Sequence, residues 1–135
     1  MITLKNKAEF DFVYKNGRRH CGKFFNLYAI SLHHHSLQNK TFSYKEKKIF
    51  NHFLKLPKDL VFGLSVSKKI GNSPQRNLIK RRFRSFCRVY AHLFPQMIVI
   101  FMAKEGVQEM PYVEFEKEIL EFLPKARGSR NVTNI

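Results

Sequence analysis

The apolar residues of this chain recur with two periods, one typical of helices and one typical of strands. The longest helical pattern lies within residues 73–93, where apolar side chains follow one another at steps of four, three, four and three. These side chains are Ile79, Phe83, Phe86, Tyr90 and Leu93. Such steps keep side chains on one side of a helix, so the segment predicts a helix with a buried aromatic stripe. Pro74 suits its first turn, and Ser73 is expected to cap it.

Two further helices are predicted near the ends of the chain. Asn6 and Glu9 have the spacing of a capping box, and a helix of about Lys7 to Asn16 follows, with Gly17 after its end. The last helix starts at Pro111, and five of its side chains are expected to point inward. They are Tyr112, Phe115, Ile119, Phe122 and Leu123.

Three segments are rich in strand-forming residues. Arg18 to Ser31 is predicted to be extended, and Gly22 can divide it into two strands. Leu60 to Ser67 is a second segment of this kind, and Met97 to Ala103 is a continuous apolar run typical of a buried central strand. A strand, a long helix and another strand predict a crossover unit, with the helices on one side of a mixed sheet.

The stretch from His33 to Asp59 is long for a connection inside a compact domain. Ser43 and Glu46 form a second possible capping box, and a partial apolar stripe follows before Pro57. The stripe consists of Ile49, Phe50, Phe53 and Leu54. We therefore predict a surface insertion, about residues 33–59, that contains one short, weakly held helix.

The charge of the chain is its most informative chemical property. The 135 residues suit one domain, predicted over residues 1–126 with a flexible tail over 127–135, and the net charge is +15. Between Leu60 and Lys104 there is no Asp or Glu, whereas there are nine Lys or Arg. A block of one charge sign repels itself, and a polyanionic partner is the plainest reason for a folded protein to keep it.

The predicted central helix organises these cations. On a helical wheel the polar residues gather opposite the aromatic stripe: Asn77, Lys80, Arg81, Arg84 and Arg88. The free amides of the first turn, together with Arg76, form a natural phosphate site. A solvated basic helix face is the ordinary alternative, but it leaves the repulsion unexplained, so nucleic acid is favoured. An anionic membrane surface is the next candidate, and it requires an exposed apolar face beside the cations.

Other chemistry receives little support from the sequence. Cys21 and Cys87 lack the spacing of a metal or redox site, and Cys87 is expected to be a small core residue in a reducing, cytoplasmic protein. We expect no targeting segment, and the longest apolar run, from Met97 to Ala103, is too short to span a bilayer. His33 to His35 could bind a metal ion, but a solvated loop is favoured. No nucleophile–base or paired-carboxylate constellation is visible.

The central motif resembles that of the protein subunits of bacterial ribonuclease P. The residues that carry the resemblance are Gly63 to Asn72, Arg76 to Arg81, and Arg84, with support from Phe10 to Gly17 and from Phe25 to Tyr28. The resemblance covers about Leu4 to Ala126 apart from the insertion. Leu78 and Ser85 depart from the family pattern, which has Arg and usually Glu at these positions, and the insertion is longer than the family's usual connection.

The resemblance implies a fold and an activity. The fold is α+β, a single-domain α/β sandwich similar to the second domain of ribosomal protein S5, in the order α-β-β-β-α-β-α with a left-handed crossover. The activity is removal of the 5′ leader from precursor tRNA by a catalytic RNA subunit that holds Mg²⁺. The partners are ribonuclease P RNA and precursor tRNA, with no membrane and no obligate protein partner, and no protein catalytic residues are expected.

The resemblance also implies two sets of site residues. The RNA subunit would be bound by Lys68, Lys69, Arg76, Asn77, Lys80, Arg81, Arg84 and Arg88. The leader would be bound by Phe10, Tyr14 and Tyr28, although core packing is the other interpretation of helix-spaced aromatic residues. Two alternative classes remain open: a ribosomal or other structural RNA-binding protein, and a DNA-binding module that uses the basic helix in a major groove.

Overall fold

A mixed sheet lies at the centre of the molecule, which was analysed as a computed structural model that describes residues 2–33, 37, 39–56 and 59–127. Its strands are β1 (Ile2–Thr3), β2 (Arg18–Cys21), β3 (Phe25–Ser31), β4 (Val61–Ser65) and β5 (Met97–Ala103). The helices with described bounds are α1 (Lys7–Asn16), α2 (Tyr44–Leu54), α3 (Ser73–Tyr90) and α4 (Tyr112–Ala126). Short 3₁₀ helices lie at Lys68–Ile70, Ala91–Leu93 and Val107–Glu109.

The strands lie in the order β1-β4-β5-β3-β2. β4 and β5 are parallel neighbours, so α3, which joins them, is a crossover connection, and β3 is antiparallel to both β5 and β2. The predicted division of the first extended segment around Gly22 is confirmed. The predicted order α-β-β-β-α-β-α is present, with β1 and α2 in addition. The left-handed sense of the crossover stays a prediction.

Capping boxes mark the starts of α1, α2 and α3. The box of α1 is confirmed, with Glu9 accepting from the Asn6 amide at 3.1 Å and Asn6 accepting from the Glu9 amide at 3.0 Å. The prediction that Ser73 caps α3 is wrong, because the N-cap is Asn72, which exchanges two hydrogen bonds of 3.0 Å with Gln75. A box needs an acceptor three residues later, and from Ser73 that position is Arg76, which can only donate.

Both faces of the sheet are covered by helices, so the expectation of helices on one side is wrong. Alternate residues of a strand point to opposite faces, and both sets in β5 are apolar. One set, with Phe101, packs under α3 and α4 in the first core, and the other, with Ile98 and Ile100, packs under α1 and α2 in the second core. The sheet is therefore the middle layer of three.

The helix of the insertion is held more firmly than predicted. The capping box of Ser43 and Glu46 is confirmed, but Phe53 is 1 % exposed and its ring lies edge-on to Phe12 of α1, with 5.5 Å between ring centroids. The side of α2 that carries Phe53 thus completes the second core. Leu54, predicted to lie on the apolar stripe, is exposed instead. Pro57, the predicted end of the helix, lies outside the described residues.

The aromatic stripe of α3 is confirmed through its first four members. Ile79, Phe83 and Phe86 are buried and Tyr90 is half-buried, whereas Leu93 is 45 % exposed. The prediction for Leu93 fails because the α-helix ends at Tyr90 and the chain continues in a 3₁₀ helix, whose three-residue turn breaks the register of the stripe. Cys87 is a buried core residue as predicted, and burial raises the pKa of its thiol well above the usual range.

The last helix also agrees with its predicted pattern. Phe115, Ile119, Phe122 and Leu123 are buried, and Tyr112 packs half-buried at the start of the helix. Pro111 occupies the N-cap position. Residues 128–135, which make up nearly all of the predicted tail, lie outside the described residues.

Candidate nucleic-acid interface

The polar side of α3 and the 3₁₀ helix before it form a surface that we call the cationic surface. It consists of the predicted residues Lys68, Lys69, Arg76, Asn77, Lys80, Arg81, Arg84 and Arg88. Six of them are exposed, and Arg76 and Lys80 are half-buried. The opposite side of α3 is fixed in the first core by Ile79, Phe83 and Phe86, so the cations are displayed from a rigid support.

The cationic surface has no acidic partner among the described residues. Among the ion pairs between described residues, none includes a member of this surface. The nearest acids along the chain, Asp59 and Glu105, lie outside the acid-free stretch on either side. The positive field of the surface is therefore available to an external polyanion.

The first turn of α3 holds Arg76 in place. Its Nη2 donates to the Ser73 hydroxyl at 3.0 Å, whereas its buried Nε has no hydrogen-bond partner among the described residues. The capping box of Asn72 keeps this turn helical, and the buried side chain of Ile70 anchors the preceding 3₁₀ helix. Ser73, although not the cap, thus has a positioning role that the sequence pattern did not indicate.

Leu78 lies on the outer side of α3 and is 40 % exposed. An apolar side chain there lowers the positive charge of the first two turns relative to an arginine. Arg82, a neighbour on the helix, does not replace that arginine in the structure, because its Nη1 donates to the Met110 carbonyl at 2.7 Å. Arg82 is therefore directed towards the start of α4.

The three predicted aromatic residues lie together on the other face of the sheet, at the side of α1. The Phe10 and Tyr14 ring centroids are 6.2 Å apart, and the Tyr14 and Tyr28 rings meet edge-on at 4.7 Å. All three rings are half-buried and pack on the margin of the second core. We call this group the aromatic cleft. Each ring packs in part on the core and is in part exposed, and the role of these rings in leader binding stays a prediction.

Two contacts define the floor and the chemistry of the aromatic cleft. Phe10 lies over Gly63 of β4, where an added Cβ would come within 2.9 Å of the ring. Burial raises the pKa of Tyr14, and proximity to Tyr28 adds to this, while a hydrogen bond with Ser65 acts in the opposite direction. Tyr14 therefore stays a neutral hydroxyl at physiological pH, able both to stack and to hydrogen-bond.

The floor of the aromatic cleft continues along the strands into positions that sequence reasoning missed. Asn26, Ser65 and Met102 occupy one register row of β3, β4 and β5, on the same face as Tyr28 and two residues further along the strands. All three are half-buried, and the Asn26 Oδ1 has no partner among the described residues. Strand alternation, counted from Tyr28, is the signal that could have found Asn26.

The aromatic cleft and the cationic surface are neighbours through β4. Ser65 ends that strand at the cleft, and Lys68 begins the cationic surface three residues later. The two regions are therefore joined by the short segment that follows β4.

Protein-based metal chemistry has no visible site in the part of the chain that is described. No group of three or more His, Cys, Asp or Glu residues there is arranged to hold a metal ion. His34 and His35, two of the three histidines considered as metal ligands, lie outside the described residues. Within the same residues, no helix is long and apolar enough to cross a membrane.

The fold and the two regions together define an α+β protein that presents a rigid cationic helix beside an aromatic cleft, the make-up of an RNA-binding protein. A family model described as "Ribonuclease P" matches residues 2–127. The chain therefore belongs to the ribonuclease P protein family.

Curated relatives agree with this assignment. The chain is 36 % identical over 133 residues to the "Ribonuclease P protein component" of Helicobacter hepaticus, covering 98 % of this chain and 89 % of that protein. It is 36 % identical over 129 residues to the protein of the same name from Helicobacter acinonychis, covering 96 % of this chain and 80 % of that protein.

Solved structures support the fold. The RNase P protein of Staphylococcus aureus matches with a TM-score of 0.63 at 23 % identity, covering 93 % of this chain and 94 % of that chain. The RNase P protein of Thermotoga maritima matches with a TM-score of 0.63 at 15 % identity, covering 93 % of this chain and 97 % of that chain.

Proposed function

We propose that this chain is the protein component of ribonuclease P and assists its catalytic RNA subunit in removing the 5′ leader from precursor tRNA. The RNA subunit binds to the cationic surface, and the leader binds in the aromatic cleft. One observation carries the proposal in a chain of this family. The inner side of α3 is buried, and its outer side presents cations that have no acidic partner in the part of the chain that the structure describes.

The cationic surface suits the RNA subunit for electrostatic and geometric reasons. Each phosphate neutralised by Lys or Arg releases counterions, so log affinity should fall against log salt with a slope of about −0.7 to −0.9 per phosphate contact. Arginine forks bind phosphate oxygens with two hydrogen bonds, and Asn77 can add a bond to a sugar or base. Because α3 is anchored in the core, the helix that carries these groups is held in place before RNA binds.

The aromatic cleft suits an unpaired leader of varied sequence. Nucleotide bases stack on aromatic rings with little base preference, at about 1–3 kcal/mol per base. Tyr14 and Tyr28 present partly exposed rings, and the Tyr14 hydroxyl adds a hydrogen-bonding group. A leader in this cleft would enter it beside the cationic surface, where the RNA subunit would lie.

The chemical step belongs to the RNA subunit in this proposal. Mg²⁺ held mainly by that RNA would activate water and stabilise the leaving oxygen. The described residues of the protein do not form a donor set for the ion. The protein neutralises phosphate charge and positions the substrate, in the cytoplasm and without an obligate protein partner.

Reconstitution with a ribonuclease P RNA tests the first half of the proposal. Replacing Arg76, Lys80 and Arg81 with Ala should reduce RNA affinity at least tenfold and flatten its salt dependence. A control that replaces Lys5, Lys117 and Lys125 removes the same charge from exposed positions elsewhere and should change affinity much less. RNA affinity within twofold of the unmodified protein in the first variant would show that the cationic surface is wrongly assigned.

A comparison of precursor with mature tRNA tests the second half. Tyr14→Ala or Tyr28→Ala should weaken binding of the precursor to the reconstituted enzyme and leave mature tRNA unaffected. Equal weakening of both would reject the leader assignment. Leader removal at low Mg²⁺ in the presence of the protein also separates this function from that of a purely structural RNA-binding protein.

A further inference from the structure

The insertion helix α2 has an outer surface that the proposed function does not use. It is attached to α1 by Phe53 in the second core, by an ion pair of Glu46 with Lys15 at 3.2 Å, and by a contact of Glu9 with the His52 ring at 3.3 Å. These contacts use the inner side and one flank of the helix. The remaining side of α2 faces outward, and the contacts with α1 fix the helix in place.

That outer side carries cations around an exposed aromatic ring. Tyr44 is 74 % exposed, and the Lys48 ammonium lies 4.9 Å from the centre of its ring. We call Tyr44 and its exposed neighbours the lysine surface of α2. The lysines are Lys45, Lys47, Lys48 and Lys55.

The lysine surface carries an uncompensated positive charge. Five Lys and one acid, Glu46, lie between Lys40 and Lys55, and that acid pairs with Lys15 of α1. Among the ion pairs between described residues, none includes a lysine of this surface. The charge therefore complements an anionic ligand, and the exposed ring of Tyr44 complements the face of a base.

The position of α2 indicates which RNA it would meet. The register row of Ile30, Ile98 and Val61 lies in the second core, and the next row, that of Tyr28, lies at the aromatic cleft. On α1, Phe12 faces α2, whereas Phe10 and Tyr14 face the cleft. The lysine surface is therefore on the same face of the sheet as the cleft, across a helix about 10 Å in diameter. The α3 helix packs on the other face.

We propose that the lysine surface of α2 binds single-stranded RNA, namely leader nucleotides that extend beyond the aromatic cleft and across α1. This rests on the proposed function of the cleft. A membrane is disfavoured because Leu54 is the one large apolar side chain exposed beside Tyr44 on α2. The RNA subunit is disfavoured because the cationic surface projects from α3, on the opposite layer.

The test uses the reconstituted enzyme and a series of precursor tRNAs with leaders of increasing length. With the unmodified protein, precursor affinity should rise first when the leader is long enough to fill the aromatic cleft. It should rise a second time once the leader is long enough to pass α1. Replacing Lys45, Lys47 and Lys48 with Ala, or Tyr44→Ala, should abolish that second rise, a loss of about fivefold or more. Tyr44→Phe should keep most of it, because the ring is retained. The control that replaces Lys5, Lys117 and Lys125 should also keep it.

Other outcomes overturn the inference. These are an unchanged second rise in the α2 variants, an equal loss at all leader lengths, or a loss of affinity for the free RNA subunit. Failure of the cleft assignment is visible separately, since Tyr28→Ala would then leave short-leader precursors unaffected. Loss of binding to anionic vesicles with leader affinity unchanged would assign the lysine surface to a membrane instead.

Discussion

The two faces of the central sheet are built from the same apolar strands but closed to different degrees. Under α3 and α4 the rings of Phe83, Phe101 and Phe115 are fully buried, with centroid separations of 4.9 and 5.5 Å along the series. At the side of α1, Tyr14 and Tyr28 meet at 4.7 Å but remain half-buried. Aromatic contact distance alone therefore does not separate core from binding surface.

In the proposed function, this difference gives one small domain two kinds of RNA contact. On the closed face the aromatic residues are buried and make the packing rigid. This packing holds α3, which carries the cations on its outer side. The half-open face keeps its aromatic residues accessible. Changes on the closed face should therefore be detected mainly as loss of stability, and changes at the cleft mainly as loss of binding.

The largest effect is expected from opening the closed face. Phe83→Ala should lower the free energy of unfolding by about 3–5 kcal/mol, because it removes a fully buried ring and leaves a cavity. Tyr28→Ala should cost clearly less, since its ring is half-buried. Denaturant unfolding of both variants measures the contrast, and equal losses would mean that the two faces are not different in the way proposed.

A substitution beneath the cleft should lower both the stability of the protein and its affinity for the precursor. In Gly63→Ala the new Cβ would come within 2.9 Å of the Phe10 ring, so the ring must move. This should lower the free energy of unfolding by about 1–3 kcal/mol. Precursor affinity should fall while RNA-subunit affinity stays. Adding Phe10→Leu removes the clashing ring atoms and should recover part of the stability but not the precursor affinity. A Gly63→Ala variant with unchanged precursor affinity would argue against Phe10 as a leader contact.

Loss of the cap of α3 should lower affinity for the RNA subunit rather than for the precursor leader. Asn72→Ala removes the capping box of α3 and should cost about 0.5–2 kcal/mol. The first turn, with Arg76, should fray, so affinity for the RNA subunit falls although no charge is lost. Ser43→Ala, which removes the cap of α2, is the matched control and should leave that affinity unchanged. Hydrogen exchange of the Gln75 amide reports the fraying directly.

The smallest effect is expected from the pH dependence of the α2 attachment. The pKa of the Glu46 carboxyl is lowered, most of all by a hydrogen bond from the Ser43 backbone amide. The ion pair with Lys15 and a hydrogen bond with the Ser43 side chain lower it further. A lowered pKa in the folded state means that the stabilising contribution is present above the ordinary glutamate pKa and is lost as pH falls through the folded value. The protection of first-turn amides of α2, which is the intrinsic exchange rate divided by the observed rate, should therefore fall slightly between about pH 5 and about pH 3.

The matched variant for this pH effect is Glu46→Gln. Its first-turn amides should be less protected at neutral pH, and their protection should change little on acidification. Protection that falls equally in both proteins would assign the effect to another group.

Much of the fold was predictable because local patterns and tertiary contacts agree in most elements. The bounds of α1 and β5 were predicted to the residue, since a capping box and a continuous apolar run are local signals. Predictions failed where a distant or competing group decides the outcome: Asn72 replaces Ser73 as a cap because Gln75 can accept, and α2 is firmly held because Phe12 lies opposite Phe53. The roles of the site residues stay predictions.

The sequence by itself determined the charge, the periodicities and hence the existence of a basic helix with an aromatic inner side, because these properties depend on residues close to one another in the chain. Only the tertiary structure decided which aromatic rings remain half-exposed, that Arg82 is directed to the Met110 carbonyl, and that α2 completes a second core. Those outcomes depend on contacts between residues far apart in sequence, and no local pattern records which surface a side chain will meet.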